Sequence, residues 1–239
     1  MSLGRAALLF GFGLLIGKLL ITGQMRFYMS PSLDPLMAIT ALLLVGMGAL
    51  ELRRASPAAT GAGRPRADLD QALTFGLVAV PLLLATIATP RALSSTALGG
   101  VPVSRIVLAF GPGPPPSGIP PVPRRPIADF PDLLGYLTQA GENGVGQHVR
   151  VRGLVARGDE LAPDEFVLLR YTIVHCVADA QPVGVLVLAQ PGTAWVTDQW
   201  VEVDGMLATE QRGAERLVSI KAEQIAASDE PNDPYVSAI

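Results

Sequence analysis

Charge is scarce in this chain. Only 16% of its 239 residues are Asp, Glu, Lys or Arg, against about 25% in an ordinary soluble domain, and its mean hydropathy is +0.39. A large part of the chain is therefore expected to sit out of water. Cysteine is scarcer still. Cys176 stands alone, which excludes an internal disulfide framework and every zinc module built on a C-x-x-C pair. With only two histidines, His148 and His175, nitrogen and sulfur ligands are few. Basic charge is short in the second half: residues 127–239 hold 7 Lys/Arg against 17 Asp/Glu, whereas residues 1–126 hold 11 against 4. So acidic a region repels a phosphate backbone, which argues against nucleic acid as a partner. No glycine-framed nucleophile elbow surrounds Cys176 and no cofactor loop stands out, so no enzyme activity is expected.

What the first ninety residues do have is long apolar runs. Residues 6–22 (AALLFGFGLLIGKLLIT) are apolar except for Lys18, residues 35–52 are uncharged until Glu51, and residues 71–89 form a third run containing Pro81. Each approaches the ~20 residues that cross a ~30 Å hydrocarbon core. The first run lacks a small-x-small cleavage site and reads as an uncleaved anchor. Between the second and third runs lie Arg53, Arg54, Arg64 and Arg66, while the loop between the first two carries only Arg26. By the positive-inside rule the Arg-rich loop is cytoplasmic. About three spans then predict a multi-pass protein of the cell membrane, with the lipid bilayer as one partner and everything after Arg91 extracytoplasmic. On the first span Lys18 either snorkels to the interface or pairs with a partner helix. Gly13 and Gly17, four residues apart, form a face that a partner helix can approach closely.

Residues 91–126 read as a spacer, with one short strand expected in VPVSRIVLAF and a Pro/Gly-rich extended tract after it. From residue 127 the composition turns globular. IADFPDLLGYLTQAG predicts a short helix ending at Gly141. Alternating, β-branched segments at 148–156, 166–174, 183–189, 200–208 and 216–225 predict five strands. Gly153 and Gly205, each in mid-strand, suit the tight bends of a small barrel. The expected fold class is thus membrane-anchored α plus all-β, the β part being a small five-stranded OB-like β-barrel over 127–239.

One short segment groups chemically able side chains. Between the second and third strands, His175, Cys176 and Asp179 place imidazole, thiol and carboxylate within five positions, a ligand set suited to zinc or another borderline divalent metal. The plainer reading makes Cys176 a small packed side chain, His175 a solvent-facing one and Asp179 a cap for the turn before Pro182. His148 joins the first set only if the fold brings the first strand beside this loop.

Several segments together resemble a known family. GKLLITGQMRFYMSPSLDPL, TPRALSSTALGG, FVLLRYTIVHCVADAQPVGVLV, DQWVEVDGML and the terminal PNDPYV are similar to the YcgQ-like family of two-component membrane permease subunits. The resemblance implies a partnership with a separately encoded multi-span permease protein, this chain being the smaller accessory subunit. Where the family has Cys-Cys before V-A-D-A, this chain has His175-Cys176, which keeps metal-ligand chemistry and removes any vicinal disulfide. The expected function is an accessory permease subunit whose extracytoplasmic domain binds or gates a solute, a metal cation among the candidates. The alternative is a membrane-tethered metal-binding or sensor module that acts without a channel partner.

Overall fold

The computed structural model describes residues 2–54, 65–110, 123, 125–192 and 195–237. Two compact units divide the chain, Met1–Arg91 and Ala92–Ile239.

In the first unit the helices are α1 (Ser2–Ile21), α2 (Asp34–Arg54) and α3 (Pro65–Ile87). Small residues let α1 and α2 approach: Ala6 and Gly13 on α1 and Ala41 and Gly48 on α2 are the buried positions. A Cβ on Gly13 would come within 2.7 Å of Val45 Cγ2 and 3.0 Å of the Ala41 carbonyl oxygen. Most large side chains point the other way, Leu14, Leu36, Leu42, Leu43 and Met47 among the exposed ones. An apolar surface of this kind suits lipid rather than water. Two helical segments, Gly4–Ile21 and Pro31–Arg54, are long and apolar enough to cross a membrane. Residues 71–87 of the third expected span lie in α3, whose described apolar stretch is Gly76–Ile87 with Pro81 inside it. Of the arginines used for orientation, Arg53 and Arg54 end α2, Arg66 falls in the first turn of α3, and Arg64 lies outside the described residues.

In the second unit, strand β1 (Ala109–Phe110), helix α4 (Phe130–Ala140) and strands β2 (His148–Ala156), β3 (Glu165–Ile173), β4 (Gln181–Leu188), β5 (Trp200–Arg212), β6 (Glu215–Ala227) and β7 (Tyr235–Ser237) follow in order. Asp129 caps α4 by accepting a hydrogen bond from the Phe130 N–H, with Pro131 following in the first turn. The sheet has seven strands in the order β1-β6-β4-β3-β2-β5, with β7 beside β3 and a further pairing of β5 with β6. It is mixed: β4–β6 and β3–β7 run parallel, the other pairs antiparallel. The expectation of five strands in a simple OB-like barrel is therefore corrected to a seven-stranded mixed sheet with an attached helix.

The physical reason lies in β3. FVLLRY has no polar alternation until its end, and every residue from Glu165 to Tyr171 is buried. Such a strand needs cover on both faces. One face carries Phe166 and Leu168 into a core with Val149, Val151, Val187, Val203 and the α4 residues Phe130 and Leu133. The other carries Val167, Leu169 and Tyr171 into a second core with Leu98, Val103, Ile106 and Val107. The spacer expected over 91–126 is corrected accordingly: residues 92–110 pack into the second unit, and the Pro/Gly-rich tract of 111–122 lies outside the described residues. Gly184 makes the close packing possible. The Leu108 N–H donates to its carbonyl at 2.9 Å, and a Cβ there would overlap Val167 and stand 3.5 Å from Ile106.

Candidate functional site

The His175-Cys176 turn leaves the sheet after Ile173, as its sequence suggests. Asp179 then folds back on the backbone. Its Oδ1 accepts from the Val174 N–H at 2.9 Å, and its Oδ2 accepts from the His175 N–H at 2.9 Å and the Cys176 N–H at 3.2 Å. Cys176 completes a reciprocal cap, its sulfur accepting from the Asp179 N–H. His175 is largely exposed, with Nδ1 3.4 Å from Asp179 Oδ2. The three side chains share one turn, but the carboxylate is committed to three backbone donors.

Those donors, that of Val174 first, hold the Asp179 carboxyl below the usual carboxylate range. A depressed carboxyl stabilises the fold above its unfolded pKa, and that contribution fades as pH falls through the lower folded value. Asp179→Asn should therefore be less stable than the parent at neutral pH, and the gap should close in acid. Thermal unfolding across a pH series measures this, and a gap that stays constant into acid would contradict it.

A second polar group, missed by sequence reasoning, lies on the outer face of β2. Cross-strand register sets Arg150 opposite Asp204 and Arg152 opposite Glu202. Arg150 donates to Asp204 Oδ2 from Nε and Nη2, both at 2.8 Å, and Arg152 Nη2 lies 3.3 Å from Glu202. His148 extends the row: its Nε2 is 2.7 Å from Asp204 Oδ1 and 3.9 Å from Glu223 Oε2. Glu223 arrives there because β6 carries one extra residue. The register passes from Asp204 opposite Gln224 to Gly205 opposite Ala222, leaving Glu223 as a bulge. His148 thus joins β5 and β6, away from the His175-Cys176 set in pairing. The alternation of HVRVR places His148, Arg150 and Arg152 on one face, but nothing local in the sequence signals that Glu223 joins them.

The quoted motif segments meet elsewhere, around Arg170. This guanidinium is buried, with Nη1 donating to the Arg152 carbonyl at 3.1 Å and Nη2 to the Asp233 carbonyl at 2.9 Å. The Trp200 ring lies 5.4 Å below it, and Asp129 Oδ1 is 3.8 Å from Nη1. Burial lowers the pKa of the guanidinium, which still stays charged. Next to it, the Tyr171 hydroxyl donates to the Ser94 carbonyl at 2.9 Å, and burial pushes its pKa up to about 12. The Leu93 N–H donates to the Tyr235 hydroxyl and the Ser95 N–H to Asp198. Residues from RALSST, LLRY, DQW and PNDPY thus form one polar seam that fastens 92–98 and the C-terminal strand to the sheet. Apart from the buried Arg170 Nε, which has no partner among the described residues, its groups are spent on one another, and the seam reads as architecture.

In the first unit, Lys18 donates from Nζ to the Thr86 carbonyl at 2.6 Å, near the end of α3. This is a hydrogen bond to a backbone carbonyl of the same chain, not the ion pair weighed against snorkelling. Gly13, expected at a partner-helix contact, rests on the chain's own α2, whereas Gly17 faces open space.

Comparison with known proteins bears on both units. The DUF1980 N-terminal domain matches residues 5–101 and the DUF1980 C-terminal domain residues 127–238. UPF0703 protein YcgQ of Bacillus subtilis (strain 168) is 29% identical over 94 residues, covering 38% of this chain. The match spans 33% of that relative's length. Among solved structures, RecJ in complex with Mn2+ from Thermus thermophilus matches 80% of this chain and 37% of its own, at 17% identity and a TM-score of 0.23. A likeness that slight carries no argument about fold or chemistry.

Proposed function

The chain belongs to the DUF1980 family, which is YcgQ-like, and on that premise we propose that it is the accessory subunit of a two-component membrane permease. In this reading α1, α2 and the apolar end of α3 insert as about three spans. The Arg-rich segment after α2 stays in the cytoplasm, and the second unit faces the extracytoplasmic space, where it binds or gates a solute. The observation that carries the proposal is the helical surface of the first unit. Its helices bury a narrow strip of small residues against one another and turn large apolar side chains outward, more surface than three helices can cover for themselves. Three spans are also too few to enclose a pore, so a transport role calls for a larger membrane partner. The second unit fits a binding role as a compact body. Its seven-stranded mixed sheet packs α4 into one core and Leu98, Val103, Ile106 and Val107 into the other.

Affinity capture of the full chain from native membranes in mild detergent tests the partnership. A multi-span protein should be recovered in constant ratio. Gly17→Leu, which fills the open glycine of α1, should reduce that recovery without loss of the chain itself. A chain recovered alone from wild-type membranes would favour the tethered binding or sensor module. Alkaline phosphatase fused after Arg125 should be active, and an inactive fusion beside an active cytoplasmic reporter would reverse the topology.

A further inference from the structure

The row on β2 contains more than surface ion pairs require. His148 Nε2, Asp204 Oδ1 and Glu223 Oε2 come from three different strands, and the three atoms lie within 4.8 Å of one another. Tetrahedral zinc holds nitrogen and oxygen ligands at about 2.0–2.2 Å, which sets neighbouring ligand atoms roughly 3.3 Å apart. The His148 distances of 2.7 Å to Asp204 and 3.9 Å to Glu223 bracket that separation. We propose that His148, Asp204 and Glu223 bind one borderline divalent cation, zinc foremost, through Nε2, Oδ1 and Oε2.

The arrangement around the three groups supports this. Asp204 divides its oxygens: Oδ2 is held by Arg150 from two nitrogens, which fixes the carboxylate plane and leaves Oδ1 turned to His148. A ligating carboxylate held by an outer partner is the usual means of orienting a metal ligand. The bulge supplies the third ligand, since a regular β6 would have no additional residue at Glu223. One imidazole with two carboxylates suits zinc and its neighbours better than calcium, which wants six to eight oxygens, or copper(I), which wants sulfur. Three protein ligands leave a position for water or a solute group, so the ion can exchange. The site rests on the proposed function in one respect: it names the class of solute that the second unit would handle.

The test uses the full chain in nanodiscs, stripped of metal and titrated with zinc against a fluorescent chelator. One zinc per chain is expected, weakened by at least about tenfold in His148→Ala and Glu223→Gln and little changed in His175→Ala and Cys176→Ser. Zinc K-edge absorption should find nitrogen and oxygen neighbours and no sulfur. Both altered side chains are more than half exposed, so neither variant threatens the fold. Equal affinity in all variants would mean an ion-pair row with adventitious zinc and would overturn the site. So would loss confined to His175→Ala and Cys176→Ser with sulfur in the shell. Because zinc is titrated without any partner, and partner capture can be run with chelator present, either proposal can fail alone.

Discussion

Replacing Arg170 with methionine is expected to destabilise the C-terminal unit by about 3–5 kcal/mol, the range for removing one side of a buried charged contact. Methionine keeps much of the volume but offers no donor. The Arg152 and Asp233 carbonyls, which now accept at 3.1 and 2.9 Å, would be left without their guanidinium. An unsatisfied buried acceptor costs about 1–3 kcal/mol, and two of them account for most of the expected loss. The contact over Trp200 at 5.4 Å goes as well. Arg170→Lys keeps the charge but not the fork that reaches two carbonyls on different segments, so it should fall between wild type and methionine. Both tryptophans of the chain, Trp195 and Trp200, belong to this unit, so denaturant unfolding followed by tryptophan fluorescence reads it without interference from the helices. Against a typical stability of about 5–15 kcal/mol, a loss of this size is a large share of the total. Arg170→Met within about 1 kcal/mol of wild type would mean that the carbonyls find other donors, and the seam would not be what holds the C-terminal strand.

Legibility from sequence followed the range of the forces involved. The five long strands and α4 were readable because alternation and capping are local signals; β2 runs over His148–Ala156, as the pattern HVRVRGLVA predicts. The packing of 92–110 was not readable, since Pro102, Gly99 and Gly100 mark this stretch as a loop. Its anchors, Leu98, Val103, Ile106 and Val107, find their partners only when β3 presents a second apolar face. Arg170 carried a signal that the strand pattern alone did not resolve: a charged residue inside the run FVLLRY is either an edge or a buried hub, and only the fold decides between them. For the site, HVRVR displayed three basic or titratable groups on one face, yet their acidic partners sit 50 or more residues away. In the turn at 174–179 the ligand types were legible, while the use of Asp179 as a cap became visible only with the backbone donors in place.

The second large effect is expected at Gly205, where propensity and packing disagree about the sign. On propensity alone a glycine in mid-strand should be improved by any side chain, by up to about 1 kcal/mol for a good strand former. Packing forbids it. A Cβ at Gly205 would overlap the Lys221 carbonyl oxygen and approach Ala222 Cα to 3.0 Å, and both are backbone atoms of β6 beside the bulge. Backbone in the middle of a paired ladder cannot swing aside as a long side chain can. Gly205→Ala should therefore cost about 1–3 kcal/mol, and Gly205→Val more, because its branches reach further into β6. Gly135 supplies the control. It lies within α4, and a Cβ there meets nothing within 4 Å. Gly135→Ala should stabilise the unit by about 0.5–1 kcal/mol, the ordinary gain from removing a helical glycine. The same chemical change thus has opposite signs at two positions of one unit, read in one fluorescence experiment. Gly205→Ala as stable as wild type would show that β6 can slide to make room. The extra residue could then shift along the strand, and Glu223 would no longer be held beside His148 and Asp204.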